Sequence, residues 1–147
     1  MIHMTMHLTV RNNYKEQYMN GIGPELPLNR DHRFGLYSLV MSYKEEVKQN
    51  FKNLLLTSPG ERVMNPDFGV GLRRFLFDPR EHSIPAIRQR INSQVRKYMP
   101  FIRINKISFG PQSTSSEESH TLSIFIEYDA PSINLSTSIT LQTEDIN

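Results

Sequence analysis

Four carboxylates, Glu61, Asp67, Asp78 and Glu81, fall in or beside one loop-like stretch, "GERVMNPDFGVGLRRFLFDPRE". Paired carboxylates suit glycoside hydrolysis, which needs two of them facing each other about 5 to 9.5 Å apart, one kept protonated by burial. Here Arg62 adjoins Glu61 and Arg80 lies near Asp78. Neighbouring cations favour the ionised acid, not the proton donor. There is no GxSxG, no cysteine nucleophile and no Walker or dinucleotide glycine pattern, and "GVG" alone says little. The chain is therefore not expected to be an enzyme, and no catalytic residue is assigned.

The lack of cysteine removes disulfides and thiolate metal sites, and suits a reducing compartment. The five histidines, His3, His7, His32, His82 and His120, are scattered; only His3 and His7 are spaced as ligands, without an amphipathic helix around them. No metal and no cofactor is expected. No apolar run reaches the ~18 residues that span a bilayer, and residues 1–29 lack the apolar core of a signal peptide. A soluble protein, unexported by that route, is the expectation.

Charge is uneven. The net charge is only +2, yet residues 111–147 hold six acids and no Lys or Arg, while the remainder holds 17 bases and nine acids. Such asymmetry concerns partners more than fold. Between Arg73 and Lys106 a basic segment (Arg73, Arg74, Arg80, Arg88, Arg90, Arg96, Lys97, Arg103, Lys106) interleaves with Phe75, Phe77 and Tyr98. Nucleic acid would use such cations on phosphates. However, Tyr98 sits on a helical apolar stripe and the phenylalanines in "FLF", which predicts core rather than a stacking platform. An acidic protein surface would satisfy the same arginines.

A docking loop fits the composition better. Pro59, Gly60, Pro66, Gly69 and Gly71 shape the backbone, Glu61 and Arg62 offer directional charges, and Met64 and Phe68 offer apolar anchors. The same residues could instead pin the loop to the chain's own helices.

The elements around it are periodic. From about Phe34, Leu36, Leu39, Val40, Tyr43, Val47, Phe51, Leu54 and Leu55 recur at helical spacing, with Asp31 as a cap and an end near Ser58 before Pro59. Ile84, Ile87, Ile91, Val95 and Tyr98 mark a second helix, opened by Ser83 and Pro85 and closed by Pro100. The period then falls to two. "FIRINKISF" shifts phase near Asn105 and Lys106, predicting a bulge, and "TLSIFIEYD" and "INLSTSITL" alternate strictly. A long polar connection, "GPQSTSSEESH", and a short one, "APS", suit an antiparallel meander. The expected fold is α+β: two amphipathic helices packed on an antiparallel sheet of about three strands. Residues 30–147 form that domain. Residues 1–29 read as an arm, because Gly21, Gly23, Pro24 and Pro27 discourage helix and strand. The last strand has no guarding lysine or proline and could pair with another chain.

Taken together, the helix ending "LLLTSPGERVMNPDFGVGL", then "FLFDP" and a second helix, resembles the small baseplate-wedge proteins of contractile phage tails, the sheath-initiator family, and more distantly a type VI secretion baseplate component. The likeness covers about residues 34–141. It implies a virion structural protein, assembled in the host cytoplasm, in several copies around a tail axis. It implies a wedge-docking loop at Glu61, Arg62, Met64, Pro66, Phe68 and Gly69. It also implies strand sharing with the first ring of sheath subunits through Ile133, Leu135, Thr137, Ser138, Ile139 and Leu141. Implied partners are other wedge proteins and sheath, with tube or hub proteins as further contacts, and neither nucleic acid nor membrane. An older lysozyme label in that family makes a peptidoglycan-degrading muramidase the alternative.

Overall fold

The computed structural model describes residues 21–31, 35–110, 123–142 and 146. The chain divides into two compact units, Met1–Gln49 and Asn50–Asn147.

In the first unit, β1 (Gly23–Pro24) pairs antiparallel with β2 (Leu39–Val40). The expectation that glycine and proline would keep this stretch out of any strand is thereby corrected. Proline's missing donor costs nothing here, because the flanking Ile22 and Glu25 amides donate to Val40 and Ser38. Helix α1 (Tyr43–Leu56) starts later than the periodicity predicted. Leu39 and Val40 are committed to β2, Leu36 is 75% exposed, and Ser42 rather than Asp31 stands at the helix start. The Ser42 hydroxyl accepts from the Lys44 amide at 3.3 Å, and its carbonyl accepts from Glu46 at 3.0 Å. Gln49, on α1, brackets the β1 strand: its amide donates to the Pro24 carbonyl at 3.0 Å and its oxygen accepts from Leu26 at 2.9 Å.

In the second unit, a 3-10 turn (Leu72–Phe75) leads to α2 (Arg80–Tyr98), followed by β3 (Arg103–Phe109), β4 (Ile124–Ala130) and β5 (Leu135–Leu141). The sheet is antiparallel in the order β3-β4-β5. Its inward face carries Ile107, Ile124, Ile126, Tyr128, Ala130, Leu135, Ile139 and Leu141, all buried. Phe51, Leu54 and Leu55 at the end of α1, and Ile87, Ile91 and Val95 of α2, complete the core. Phe51 meets Tyr128 edge-on with ring centroids 4.7 Å apart. The Tyr128 hydroxyl is buried without a hydrogen-bond partner among the described residues, and burial pushes its pKa up. The α+β reading holds, with a small second sheet besides.

The bulge also lies where the phase shift put it. Register passes from Ile104↔Tyr128 to Lys106↔Glu127, skipping Asn105. Helix α2 begins at Arg80, three residues before Ser83, so Pro85 lies inside it rather than at its opening. The Pro79 carbonyl receives the His82 and Ser83 amides at 3.1 and 3.0 Å and nucleates the helix there. Ile133 belongs to a 3-10 turn (Pro131–Ile133), and Asn134, at φ 49°, turns the chain into β5. Thr121, Leu122 and the polar connection at 111–120 lie outside the described residues. The acids of β4 face the bases of β3: Asp129 is opposite Arg103 and Glu127 opposite Lys106. On this face the charge asymmetry of the sequence largely cancels.

Candidate docking loop and open sheet edge

Beyond Leu56 the chain folds back on α1 and then leaves it. Thr57 bonds to the Asn53 carbonyl through its amide at 3.0 Å and its hydroxyl at 2.7 Å. Gly60, at φ 94°, makes the turn that follows Pro59, and its amide donates to the Pro66 carbonyl at 2.8 Å, closing residues 60–66 into a compact loop. Glu61 serves this backbone: its carboxylate accepts from the Ser58 amide at 3.0 Å. The Arg62 guanidinium lies 3.8 Å over the Phe68 ring, which meets Tyr98 edge-on at 5.0 Å. The Tyr98 hydroxyl donates to Asn65 Oδ1 at 3.0 Å, and Lys97 reaches Asp67 at 3.4 Å. Tyr98 is thus half-buried against the loop, a correction to its expected place in the core stripe.

Helix α2 grips the far end of the loop. Gln94 is buried and takes two backbone groups at once: Gly69 N–H donates to its Oε1 at 2.9 Å, and its Nε2 donates to the Asp67 carbonyl at 3.0 Å. Arg90 Nη2 donates to the Gly69 carbonyl at 3.4 Å, and Val70 N–H donates to the Leu54 carbonyl at 2.9 Å. Sequence reasoning missed Gln94. Its signal was a glutamine on the apolar face, between Ile91 and Val95. Gln94→Leu is close in volume but leaves the buried Gly69 amide and the part-buried Asp67 carbonyl without this partner, each worth about 1–3 kcal/mol. A loss of about 2–4 kcal/mol is expected, read as a lower urea midpoint with an unchanged slope.

What the loop leaves in solvent is apolar. Val63 is 93% and Met64 96% exposed, at the tip of a segment fixed by the bonds just described. Of the residues singled out in the sequence, Glu61, Arg62, Met64 and Pro66 are exposed, Phe68 is half-buried beneath Arg62, and Gly69 is buried. The structure brings all six into one loop but divides their tasks: Glu61, Phe68 and Gly69 hold its shape, and Met64 faces out. Val63 was missed because valine in a polar loop gives no periodic signal. Phe77, expected in the core, is 91% exposed in the bend after the 3-10 turn.

The second feature is the β5 edge. Gly110 N–H donates to the Ser123 carbonyl at 3.1 Å. Antiparallel ladders alternate, so Phe109↔Ile124 and Ile107↔Ile126 are non-hydrogen-bonded pairs, and Ile124 and Ile126 turn their backbone toward β5. Leu135, Thr137, Ile139 and Leu141 therefore spend their N–H and C=O groups on β4, and Ser136, Ser138 and Thr140 direct theirs outward. Ser138 alone among the six residues selected for strand sharing offers both groups to a newcomer. Ile133 lies before the strand.

Among the described residues no acidic residue is buried as a whole, although one carboxylate oxygen, Glu46 Oε2, is shut off from solvent, away from the loop and its four carboxylates. Glu61 is exposed, and the groove of about 260 Å³ beside the loop, lined by Asn50, Asn53, Arg62, Phe68, Tyr98, Met99 and Phe101, contains no acid. Glu127 and Asp129 do share a depression of about 330 Å³ on the sheet. There Asp129 is held below the usual carboxylate range by hydrogen bonds from Ser136 and Asn105, aided by the Arg103 charge. That is the environment of an ionised acid, not a proton donor. Nor do three metal-ligating side chains converge among the described residues.

Two solved structures share the fold. A Geobacter sulfurreducens protein that carries the provisional name tail lysozyme is 24% identical, with a TM-score of 0.57, over 71% of this chain and 93% of that one. A chain of the anti-feeding prophage baseplate is 23% identical, with a TM-score of 0.58, over 71% of this chain and 81% of that one. No curated protein matches. The family model for baseplate wedge protein gp25 matches residues 41–134, well over half of the chain. That span takes in α1, the 60–69 loop, α2, β3 and β4, and the chain belongs to the baseplate wedge protein gp25 family.

Proposed function

We propose that this protein is a structural part of a contractile-tail baseplate, in a phage or a related injection particle, that docks on the wedge core through its 60–69 loop. It then starts the sheath by accepting a strand along β5. The observation that carries the first half is the exposure of Val63 and Met64 on a backbone pinned by Glu61, Gln94 and Gly69. Apolar tips held rigid before binding lose little entropy on docking, and each buried Å² contributes about 25 cal/mol. Membership of the wedge family supports the baseplate setting. The second half rests on the outward N–H and C=O groups of Ser136, Ser138 and Thr140, a ready template for main-chain pairing. Partners on this reading are other wedge proteins at the loop and sheath subunits at the strand. The muramidase alternative has no support from the carboxylates described above.

Ser138→Pro tests the strand. The Ser138 amide points away from β4, so proline removes a donor offered to a newcomer and not one used within the sheet. The variant is expected to fold, to enter baseplates, and to leave tubes unsheathed in negative-stain images. Full-length sheaths on those baseplates would remove β5 from the account.

A further inference from the structure

The sheet has two edges, and they are not equivalent. Among the described residues, no side chain hydrogen-bonds to the outward backbone groups of Ser136, Ser138 and Thr140 on β5. On β3 the same alternation turns the Ile107 and Phe109 backbones outward. That edge is occupied: Arg88, from the third turn of α2, donates through Nη2 to the Ile107 carbonyl at 3.2 Å. Its guanidinium also lies 5.9 Å from the Phe109 ring, across the neighbouring outward position. Two residues further on, the Asn105 bulge breaks the ladder, and Arg103 and Lys106 place charges beside it. Bulges and charged side chains are what blunt strand addition at an exposed edge.

We infer that Arg88 closes the β3 edge of the sheet against strand addition, so that an incoming strand is accepted at β5 alone. The inference rests on strand sharing as the proposed function, because a closed edge matters only if the other one is used. A strand arriving at β3 would have to displace the guanidinium from the Ile107 carbonyl and leave it without that bond. It would then meet the bulge after one or two pairs. A planar fork reaching across an edge suits this position better than a lysine, which would bring one mobile point charge. The closed edge would make growth one-sided: one template yields one strand order, and two copies of the chain cannot pair through β3.

The test compares four full-length proteins: wild type, Ser138→Pro, Arg88→Met, and the double variant. Methionine keeps an apolar stem over Phe109 and removes the fork. Sedimentation velocity over a concentration series measures self-association, and amide exchange at Ile107 and Phe109 reports pairing at β3. With β5 closed by Ser138→Pro, adding Arg88→Met is expected to strengthen self-association about tenfold or more. Exchange at Ile107 and Phe109 should then slow as concentration rises. Identical sedimentation of Ser138→Pro and the double variant, with unchanged exchange at both amides, would overturn the inference. Association without slower exchange at Ile107 would also overturn it, because the contact would not be a strand at β3. If Arg88→Met fails to fold, Arg88→Lys in the same background is read by the same criteria, with the same two signs expected. The outcome is separable from the β5 reading: normal sheaths on Ser138→Pro baseplates would sink that reading and leave the β3 measurements standing.

Discussion

Gly69→Ala is expected to lower the stability of the Asn50–Asn147 unit by about 3–5 kcal/mol, a large share of the roughly 5–15 kcal/mol that holds a domain folded. Two costs add. Gly69 has φ 108°, a region that an L side chain rarely adopts, and a Cβ built there runs into the Thr57 carbonyl oxygen, with the Thr57 carbonyl carbon at 2.8 Å. The obstruction is backbone at the end of α1, whose amide and hydroxyl are both bonded to Asn53, so it cannot swing aside as a flexible side chain could. Relief would need Gly69 to move off Gln94, breaking the clamp that sets the loop. Gly60→Ala is the built-in comparison. Gly60 has a similar φ of 94° but nothing within 4 Å of the point where an alanine methyl would stand, so only the conformational cost of about 1 kcal/mol applies. Thermal or urea unfolding of the two variants side by side separates strain from collision. Equal losses would mean that the approach to Thr57 does not matter.

The second large effect is on docking and not on folding. The double variant Val63→Ser, Met64→Ser removes the exposed apolar tip and touches none of the bonds that shape the loop. Exposed positions away from such bonds usually change stability by within about 0.5 kcal/mol, so the melting temperature should barely move. Affinity for the wedge partner should fall by about 2–4 kcal/mol, some 30- to 1000-fold, as for a pair of interface hot spots. The readout is incorporation of labelled protein into baseplates in competition with wild type. Glu61→Ala is expected to behave otherwise. It loses the Ser58 bond and loosens the loop, so a modest drop in stability accompanies any drop in docking.

Periodicity made the elements legible and contacts set their limits. The three strands of the main sheet and the Asn105 bulge follow from a period of two with one phase slip, since a bulge is the only way to keep Ile104 and Ile107 on one face. Both helices were legible for the same kind of reason. Their starts were not: α1 begins at Ser42 because Leu39 and Val40 pair with β1, a contact across sequence that no local pattern reveals. The loop was legible as a place, from its glycines, prolines and charges. Its division of labour was hidden, because Glu61 and Arg62 look like docking groups until Ser58 and Phe68 are seen beside them. The roles of Gln94 and Arg88 were hidden for a related reason. Each residue acts on the backbone of a distant segment, and a side chain's choice between water and a carbonyl 19 or 27 residues away is not written in its neighbours.

The most direct test of the account is hydrogen exchange of this protein in assembled, sheathed baseplates against the free chain. Strong added protection is predicted at the amides of residues 61–64, from docking, and at Ser136, Ser138 and Thr140, from strand addition, with Ile107 and Phe109 unchanged. Amides at 61–64 and along β5 that exchange as fast in the particle as in free protein would contradict it, for neither the loop nor the open edge would then be in contact with a partner.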